Sequence, residues 1–140
     1  MLGLSANGTE ISPYHIEAAI ASIHATAGSI EETDWGEIVS LYDTLMNIRP
    51  TPIVALNRAI AIAQKEGPER GLEQIRSIAG PDRLLKYPFY SAAIGDLELR
   101  RGNHRAAREY FRQARSIARN PMERAFLDQR ISACEHIDTP

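Results

Sequence analysis

The sequence predicts an all-α protein built from stacked antiparallel helix pairs, and three observations support this prediction. Apolar residues recur at helical spacing in about seven segments of the 140-residue chain, and no segment convincingly reads as a strand. Glycine, proline and capping residues separate these segments, so the connections are short. Each helix pair would hide an apolar face that its neighbour cannot hide alone, which favours a stack.

The first two predicted helices follow a polar lead-in. Residues 1–11 lack periodicity, and we expect them to be flexible. Ser12 is the predicted cap of the first helix, and Ser29, with Thr33 as an alternative, is that of the second. We expect Tyr14 to be a core or staple residue. The inward faces are predicted to hold Ile16, Ala19, Ile20 and Ile23 in the first helix, and Trp35, Ile38, Leu41, Tyr42 and Leu45 in the second.

The third helix is predicted to be the most buried one, because apolar residues cover most of its circumference. Thr51 is its predicted cap. Gly67 ends it, and a shorter helix then runs to Gly80; each of these glycines is followed by a proline that starts the next segment. We expect a short helical turn or a loop over residues 81–88.

The region around Gly102 has the clearest pattern. Gly102 is predicted to end one helix in the left-handed conformation, and Asn103 to cap the next. Small and aromatic residues recur around this break with the spacing of a tetratricopeptide unit, a helix-turn-helix repeat of about 34 residues. They are Gly95, Ala107, Phe111 and Ala114. Gly67 lies 35 residues before Gly102, so we predict tandem tetratricopeptide-like repeats in a right-handed α–α superhelix.

A last helix is predicted to begin at Asn120 and to end near Cys134, where it would cap the stack. Its inward residues are predicted to be Phe126, Leu127 and Ile131. Residues 136–140 are expected to fray. We therefore predict a single helical domain over residues 12–135.

The composition argues against several classes of protein. No apolar run approaches the ~20 residues needed to cross a bilayer, and the N-terminus lacks the layout of a signal peptide. The single cysteine, Cys134, excludes an internal disulfide and fits a reducing cytoplasm. The sequence contains no metal-ligand spacing, phosphate-binding loop or nucleophile motif. We predict a cytoplasmic protein without membrane partner, metal, cofactor or enzymatic activity of its own.

A groove is the first candidate binding site. In tandem helical repeats the first helix of each pair lines the concave side. The predicted groove residues are His15, Asn57, Gln64, Lys65, Phe89, Asp96 and Arg100. Asn57 and Arg58 interrupt an otherwise apolar helix, and a buried arginine needs a partner, for which Glu17 and Asp34 are the candidates. The alternative for Arg58 is a structural ion pair that fixes helix packing.

A stripe of arginines is the second candidate site. Six arginines are spaced by four and three residues in alternation, so one helix would place them on one side. They are Arg101, Arg105, Arg108, Arg112, Arg115 and Arg119. The stripe could meet an acidic protein surface or nucleic-acid phosphates. The alternative is a solvated face, partly paired with Glu109 and with the acidic N-terminal half. No aromatic residue lies on the stripe to stack with bases.

Three segments of the chain carry a family resemblance: YHIEAAIASIHA, EETDWGEIVSLYD and TPIVALNRAIAIAQKEGPERGL. They resemble the C-terminal extension of a group of bacterial extracytoplasmic-function (ECF) sigma factors, and the resemblance runs from about Leu4 to Ile131. In that group the extension follows the promoter-reading sigma regions and is itself tetratricopeptide-like. The resemblance implies a regulatory protein-interaction domain in transcription initiation. Its implied partners are sigma regions of the same polypeptide, RNA polymerase or a regulator, with DNA contacted only through the sigma regions.

The chain begins where such an extension begins, and we therefore expect an excised domain rather than a standalone relative. The rival hypothesis is an independent tetratricopeptide-like adaptor that binds a peptide or protein in its concave groove. The two hypotheses differ in the partner, since only the first requires sigma regions or RNA polymerase.

Overall fold

The computed structural model describes residues 13–27 and 31–138. Within these ranges the chain forms seven α-helices and one 3₁₀ helix and contains no strand, which confirms the predicted all-α class. The α-helices are α1 (Pro13–Thr26), α2 (Trp35–Ile48), α3 (Pro52–Glu66), α4 (Pro68–Arg76), α5 (Pro88–Arg100), α6 (His104–Ser116) and α7 (Pro121–Asp138), and the 3₁₀ helix spans Pro81–Leu84. The predicted lead-in over 1–11 and the predicted caps Ser12 and Ser29 lie outside the described residues.

Each α-helix packs against the next one in the chain, and α3 also contacts α5. The connections are short, so successive helices form the pairs α1–α2, α3–α4 and α5–α6, with α7 packed on the last pair. This is an all-α helical-repeat arrangement, as predicted. The right hand of the superhelix stays a prediction.

The core consists of three adjoining clusters that follow the order of the helices. The first joins α1 and α2 to one side of α3, the second joins α3, α4 and α5, and the third joins α5, α6 and α7. Phe111 is fully buried in the third cluster. α3 was predicted to be the most buried helix, but α5 is buried to the same extent. Each of the two helices carries six buried residues and contributes to two clusters.

Side-chain caps define several helix starts. The Thr51 hydroxyl accepts a hydrogen bond from the Val54 N–H at 3.2 Å, which confirms the predicted start of α3. For α2 the alternative cap Thr33 is wrong, because the Asp34 carboxylate accepts from the Glu37 N–H at 3.0 Å. Asp34 stands directly before the first helical residue, so its short side chain reaches the first turn.

Gly102 ends α5 as predicted, with a φ of 86°. The Asn103 N–H donates to the Glu98 carbonyl at 2.9 Å and the Gly102 N–H donates to the Leu99 carbonyl at 3.0 Å, which is the hydrogen-bond pattern of a Schellman motif. Asn103 occupies the N-cap position of α6 as predicted, but its side chain makes no capping hydrogen bond, since its amide donates instead to the Glu98 carboxylate at 3.3 Å.

Two aromatic side chains predicted to be inward are exposed. Tyr14 is 82% exposed, because α1 instead turns the face that carries Ile16 toward α2 and α3. Phe126 is 45% exposed, because α7 turns Leu127, one residue further on, into the core. α7 also continues past Cys134 to Asp138, so residues 136–138 are helical rather than part of a frayed tail.

Candidate binding groove

A cavity of about 340 Å³ opens between α3, α5 and α7. Three of the predicted groove residues, Gln64, Asp96 and Arg100, line it together. The remaining lining residues are Ile60, Ala93, Leu97, Phe126 and Arg130. Its apolar floor and polar edge are typical of sites that bind part of a larger ligand.

A second cavity of about 340 Å³ lies between α1, α2 and α3. Asn57, another predicted groove residue, lines it together with Ile53 and Tyr42. Residues 53, 57, 60 and 64 are four, three and four residues apart, so they follow one stripe of α3. Both cavities therefore open along the same face of α3, and we call this face and its two cavities the groove.

Two side-chain amides project from this face of α3. Asn57 lines the second cavity and Gln64 lines the first. Neither amide has a hydrogen-bond partner among the described residues. A side-chain amide both donates and accepts, so each of them offers unused hydrogen-bonding capacity to a ligand.

The charges at the first cavity are unequally satisfied. Asp96 is paired with Arg130, whose guanidinium also lies 5.4 Å from the centre of the Phe111 ring. Arg100 donates one hydrogen bond, to the Ala63 carbonyl at 3.4 Å, and it has no carboxylate partner in the described part of the chain. One acid and two arginines thus line the cavity, and of the two arginines it is Arg100 that lacks an acidic partner among the described residues.

An ion pair and a tyrosine line the second cavity. The ion pair joins Arg49 Nη1 to Glu17 Oε1 at 4.0 Å, and the tyrosine is Tyr42. Burial raises the pKa of Tyr42, and the nearby Glu17 carboxylate raises that pKa further. The Tyr42 hydroxyl is therefore neutral at physiological pH.

Phe89 lies near the N-terminal end of α5, on the same stripe as Asp96 and Arg100. Its ring is exposed and meets the ring of Tyr87 edge to face at 5.3 Å between centres. The Arg119 guanidinium lies 5.8 Å from the centre of the Phe89 ring. The predicted residue Phe89 thus extends the groove face of α5 beyond the first cavity.

Three of the singled-out polar residues lie away from the groove. Arg58 lies between α2 and α4, where its Nε donates to Asp43 at 2.5 Å and its Nη1 to Gln74 at 2.9 Å. The expected partners of Arg58, Glu17 and Asp34, are therefore wrong, because the side chain leaves α3 on the opposite side from the first cavity.

Lys65 shares the Arg58 side of α3, since the two residues are seven apart, and its Cε lies 3.8 Å from a Cβ built on Gly36. His15 is half-buried on α1 and lies two residues from Glu17, so it occupies the other side of that helix. A binding role for these residues stays a prediction, but it would not be exerted from the groove.

The arginine stripe is interrupted in the structure. Arg101 follows the last residue of α5 and Arg119 follows α6, so four of the six arginines lie on α6 itself. The ion pairs join Arg101 to Glu69 and Glu98, Arg112 to Glu109 and Glu135, Arg115 to Asp128, and Arg119 to Glu123. The expected pairing with the acidic N-terminal half is wrong, because α7 packs beside α6 and supplies the nearer acids. Arg105 and Arg108 have no carboxylate partner within the described ranges.

The α6–α7 connection contains an ion pair, Arg119–Glu123, that is held by four hydrogen bonds. The Glu123 carboxylate accepts from the Arg119 side chain at 2.6 Å and from the Arg119 main-chain N–H at 2.8 Å. The side-chain hydrogen bond, then the main-chain one, lowers the pKa of Glu123. The same pairing raises the pKa of Arg119.

Two residues of the groove on α7, Phe126 and Arg130, were not predicted. α7 packs on the last helix pair, and it also lines the first cavity together with α3 and α5, as the first helix of a repeat pair would. The 34-residue spacing between Asp96 and Arg130 was the available signal, because it equals one tetratricopeptide repeat.

Two further features of the described residues limit what the site can be. Within the described residues no group of three or more histidine, cysteine or acidic side chains could hold a metal ion. None of the described helices has the length and apolar character needed to cross a membrane.

Comparison with known proteins gives one informative relative. No family model matches the chain. The chain is similar to an uncharacterized protein of Rhizobium meliloti (strain 1021), with 40% identity over 119 residues. The aligned segment covers 85% of this chain and 28% of that protein. The chain therefore spans less than a third of the length of the curated relative that it matches.

Proposed function

We propose that the chain is a regulatory protein-interaction domain of an ECF-type sigma factor, acting in transcription initiation. The observation that carries the proposal is the groove, where two cavities open along one face of α3. Two amides without a partner and one arginine without an acidic partner, as judged within residues 13–27 and 31–138, border these cavities. Unsatisfied polar groups beside exposed apolar side chains are suited to a polypeptide partner. The ECF assignment itself rests on the sequence resemblance.

The domain would act by holding a partner in the groove. The candidate partners are sigma regions of the same polypeptide, RNA polymerase or a regulator, and DNA would be contacted only through the sigma regions. The relative's greater length is compatible with a module of a longer polypeptide. Occupation of the groove by one partner or another would then change which contacts the sigma regions can make.

The standalone adaptor remains the second candidate, because it would use the same groove for a different partner. Direct DNA binding through the arginines is less favoured. Four of the six are neutralised by neighbouring acids, so the release of counterions that drives phosphate binding would be small.

Two measurements test the proposal. The first determines whether a sigma region is encoded in frame upstream of the chain, and its absence would contradict the ECF assignment. In the second, the immobilised chain is challenged separately with the purified sigma regions and with core RNA polymerase. We expect at least one of them to bind, and Arg100→Glu to weaken that binding by about tenfold or more.

Arg105→Glu is the matched control for this experiment. It reverses another exposed arginine that lacks a carboxylate partner among the described residues, but on α6 and outside the groove. We expect it to bind as the wild type does. Failure of both partners to bind would overturn the ECF reading, whereas Arg100-dependent binding of a different purified protein would support the adaptor.

A further inference from the structure

We infer that the groove binds an extended segment of a partner through its backbone, and that this segment places an acidic side chain next to a large apolar one. The inference rests on the proposed function in that it names the chemistry of the groove's partner. Its elements are the amides of Asn57 and Gln64, the guanidinium of Arg100, and the apolar cavity between α3, α5 and α7.

The amides point to an extended backbone as the ligand. Asn57 and Gln64 are seven residues apart on one side of α3, which corresponds to a rise of about 10 Å along the helix. One turn of an extended polyproline II segment has three residues of about 3.1 Å each, so it covers nearly the same distance and presents peptide groups three residues apart on the same side. Each of the two side-chain amides, which have no partner among the described residues, can donate to a peptide C=O and accept from a different peptide N–H of the segment. A segment laid along α3 would therefore satisfy both amides at once.

The guanidinium of Arg100, which lines the cavity, favours a negatively charged side chain on the bound segment. Arg100 spends one N–H on a 3.4 Å contact with the Ala63 carbonyl, and its other donors have no protein acceptor in the described part of the chain. The planar fork of an arginine matches a carboxylate with two parallel hydrogen bonds. The Asp96 carboxylate lines the same cavity but does not pair with Arg100, because it forms an ion pair with Arg130.

A basic segment would be repelled by the positive charge at this cavity. Arg100 and Arg130 both line the cavity, and Asp96 compensates for one of them. A lysine or arginine of a partner would therefore approach uncompensated positive charge. Like charges brought together at an interface suppress binding of the wrong partner.

The cavity supplies the place for the apolar side chain. Ile60, Ala93, Leu97 and Phe126 provide its apolar surface, and Phe126 is 45% exposed. A volume of about 340 Å³ lies near the lower end of the range for small-molecule sites. A single large aliphatic or aromatic side chain is the ligand group that such a shallow apolar site would accept.

The test uses synthetic peptides that carry a fluorescent label. The first is a serine-rich peptide of about ten residues with two central glutamate–leucine pairs. Both of its termini are capped, so that only side-chain carboxylates are present. Matched peptides replace glutamate by glutamine or lysine, replace leucine by serine, or methylate the central backbone nitrogens. Binding to the full chain is measured by fluorescence anisotropy.

We expect the glutamate–leucine peptide to bind best, with the lysine peptide weaker by about tenfold or more. Arg100→Gln should remove the preference for glutamate over glutamine, whereas Arg105→Gln should keep it. The double variant Asn57→Ala, Gln64→Ala should weaken all unmethylated peptides alike and make backbone methylation harmless. Gln113→Ala, which removes an exposed amide on α6, should leave binding unchanged. Circular dichroism checks that each variant is folded.

Equal binding of the acidic and basic peptides would overturn the inference, as would equal effects of Arg100→Gln and Arg105→Gln. If the wild type bound methylated and unmethylated peptides equally well, the inference that the groove binds the peptide backbone would be wrong. These failures are distinguishable from failure of the proposed function. If the sigma regions bind in an Arg100-dependent way while the peptides do not, the function stands and the extended occupant is wrong. If the peptides behave as expected and neither sigma regions nor polymerase binds, the reverse holds.

Discussion

Gly95 of α5 lies against the ring of Phe111 of α6, and a Cβ added at Gly95 would lie 2.9 Å from Phe111 Cε1. The ring is fully buried and cannot swing into solvent. The close approach of α5 and α6 therefore depends on the absence of a side chain at position 95. This contact is the mechanical reason for the small–aromatic spacing that the sequence displays.

Gly95→Ala should lower the free energy of unfolding by up to about 2 kcal/mol, because overpacking costs about 1 to 3 kcal/mol and the gain in helix propensity offsets about 1 kcal/mol of it. Urea denaturation measures this change. Gly36→Ala is the matched control, since its new Cβ would meet Asp34 Oδ1 at an ordinary 3.6 Å. The control should be neutral or stabilising. Equal effects of the two substitutions would contradict the proposed steric contact.

Substitution of Gly102 measures the cost of the left-handed backbone conformation alone, because no neighbouring atom would contact the new side chain at Cβ. Its φ is 86°, and a Cβ added there would meet nothing within 4 Å. Gly102→Ala should therefore cost about 1 to 2 kcal/mol from the left-handed conformation alone. Gly102→Asn should cost less, because asparagine tolerates this region better. Thermal or urea unfolding checks the order, and an alanine variant as stable as the wild type would refute the assignment.

The Arg58–Asp43 ion pair should contribute little to stability. The side chains of Arg58 and Asp43 are 30% and 53% exposed, so water screens the pair. A double-mutant cycle with Arg58→Met and Asp43→Asn should give a coupling free energy of about 1 kcal/mol or less. A coupling of several kcal/mol would instead indicate the buried arginine that the sequence suggested.

The Arg119–Glu123 pair should make stability depend on acid pH. The pKa of Glu123 is lowered in the folded protein, so its contribution is present above the unfolded-state pKa and is lost as the pH falls through the lower folded-state pKa. Below pH ~4.3, the ordinary value for glutamate, the stability difference between wild type and Glu123→Gln should shrink. Denaturation with urea at a series of acidic pH values measures this difference.

Arg119→Gln provides the control for the acid dependence. It removes the side-chain donors but keeps the main-chain N–H that donates to Glu123 at 2.8 Å. It should therefore remove only part of the pH-dependent difference. A wild-type pH profile parallel to that of Glu123→Gln throughout the acidic range would contradict the lowered pKa.

Much of the fold follows from local chemistry in the sequence. Thr51 and Asn120 are confirmed as caps, and Gly67 and Gly102 both adopt positive φ between helices. These features are predictable because a cap or a left-handed glycine acts within a few residues of its own position. The error at Thr33 arises because the next residue, Asp34, caps α2 instead, and only the final backbone geometry decides which of two neighbouring side chains reaches the first turn.

The groove was less predictable than the helices. Gln64, Asp96 and Arg100 were expected together and do line one cavity. Phe126 was expected in the core but is 45% exposed. It stands next to the buried Leu127, and the sequence does not reveal which of two adjacent apolar residues faces the neighbouring helices.

The sequence by itself determined the helices, their breaks and the small–aromatic contact between α5 and α6, because these depend on near neighbours in the chain. Tertiary structure alone decided which polar groups remain available. Arg58 is held by Asp43 from α2 and Gln74 from α4, while Arg100 has no carboxylate partner in the described part of the chain. Both are arginines on mostly apolar helices, and the difference lies in which helices pack beside them.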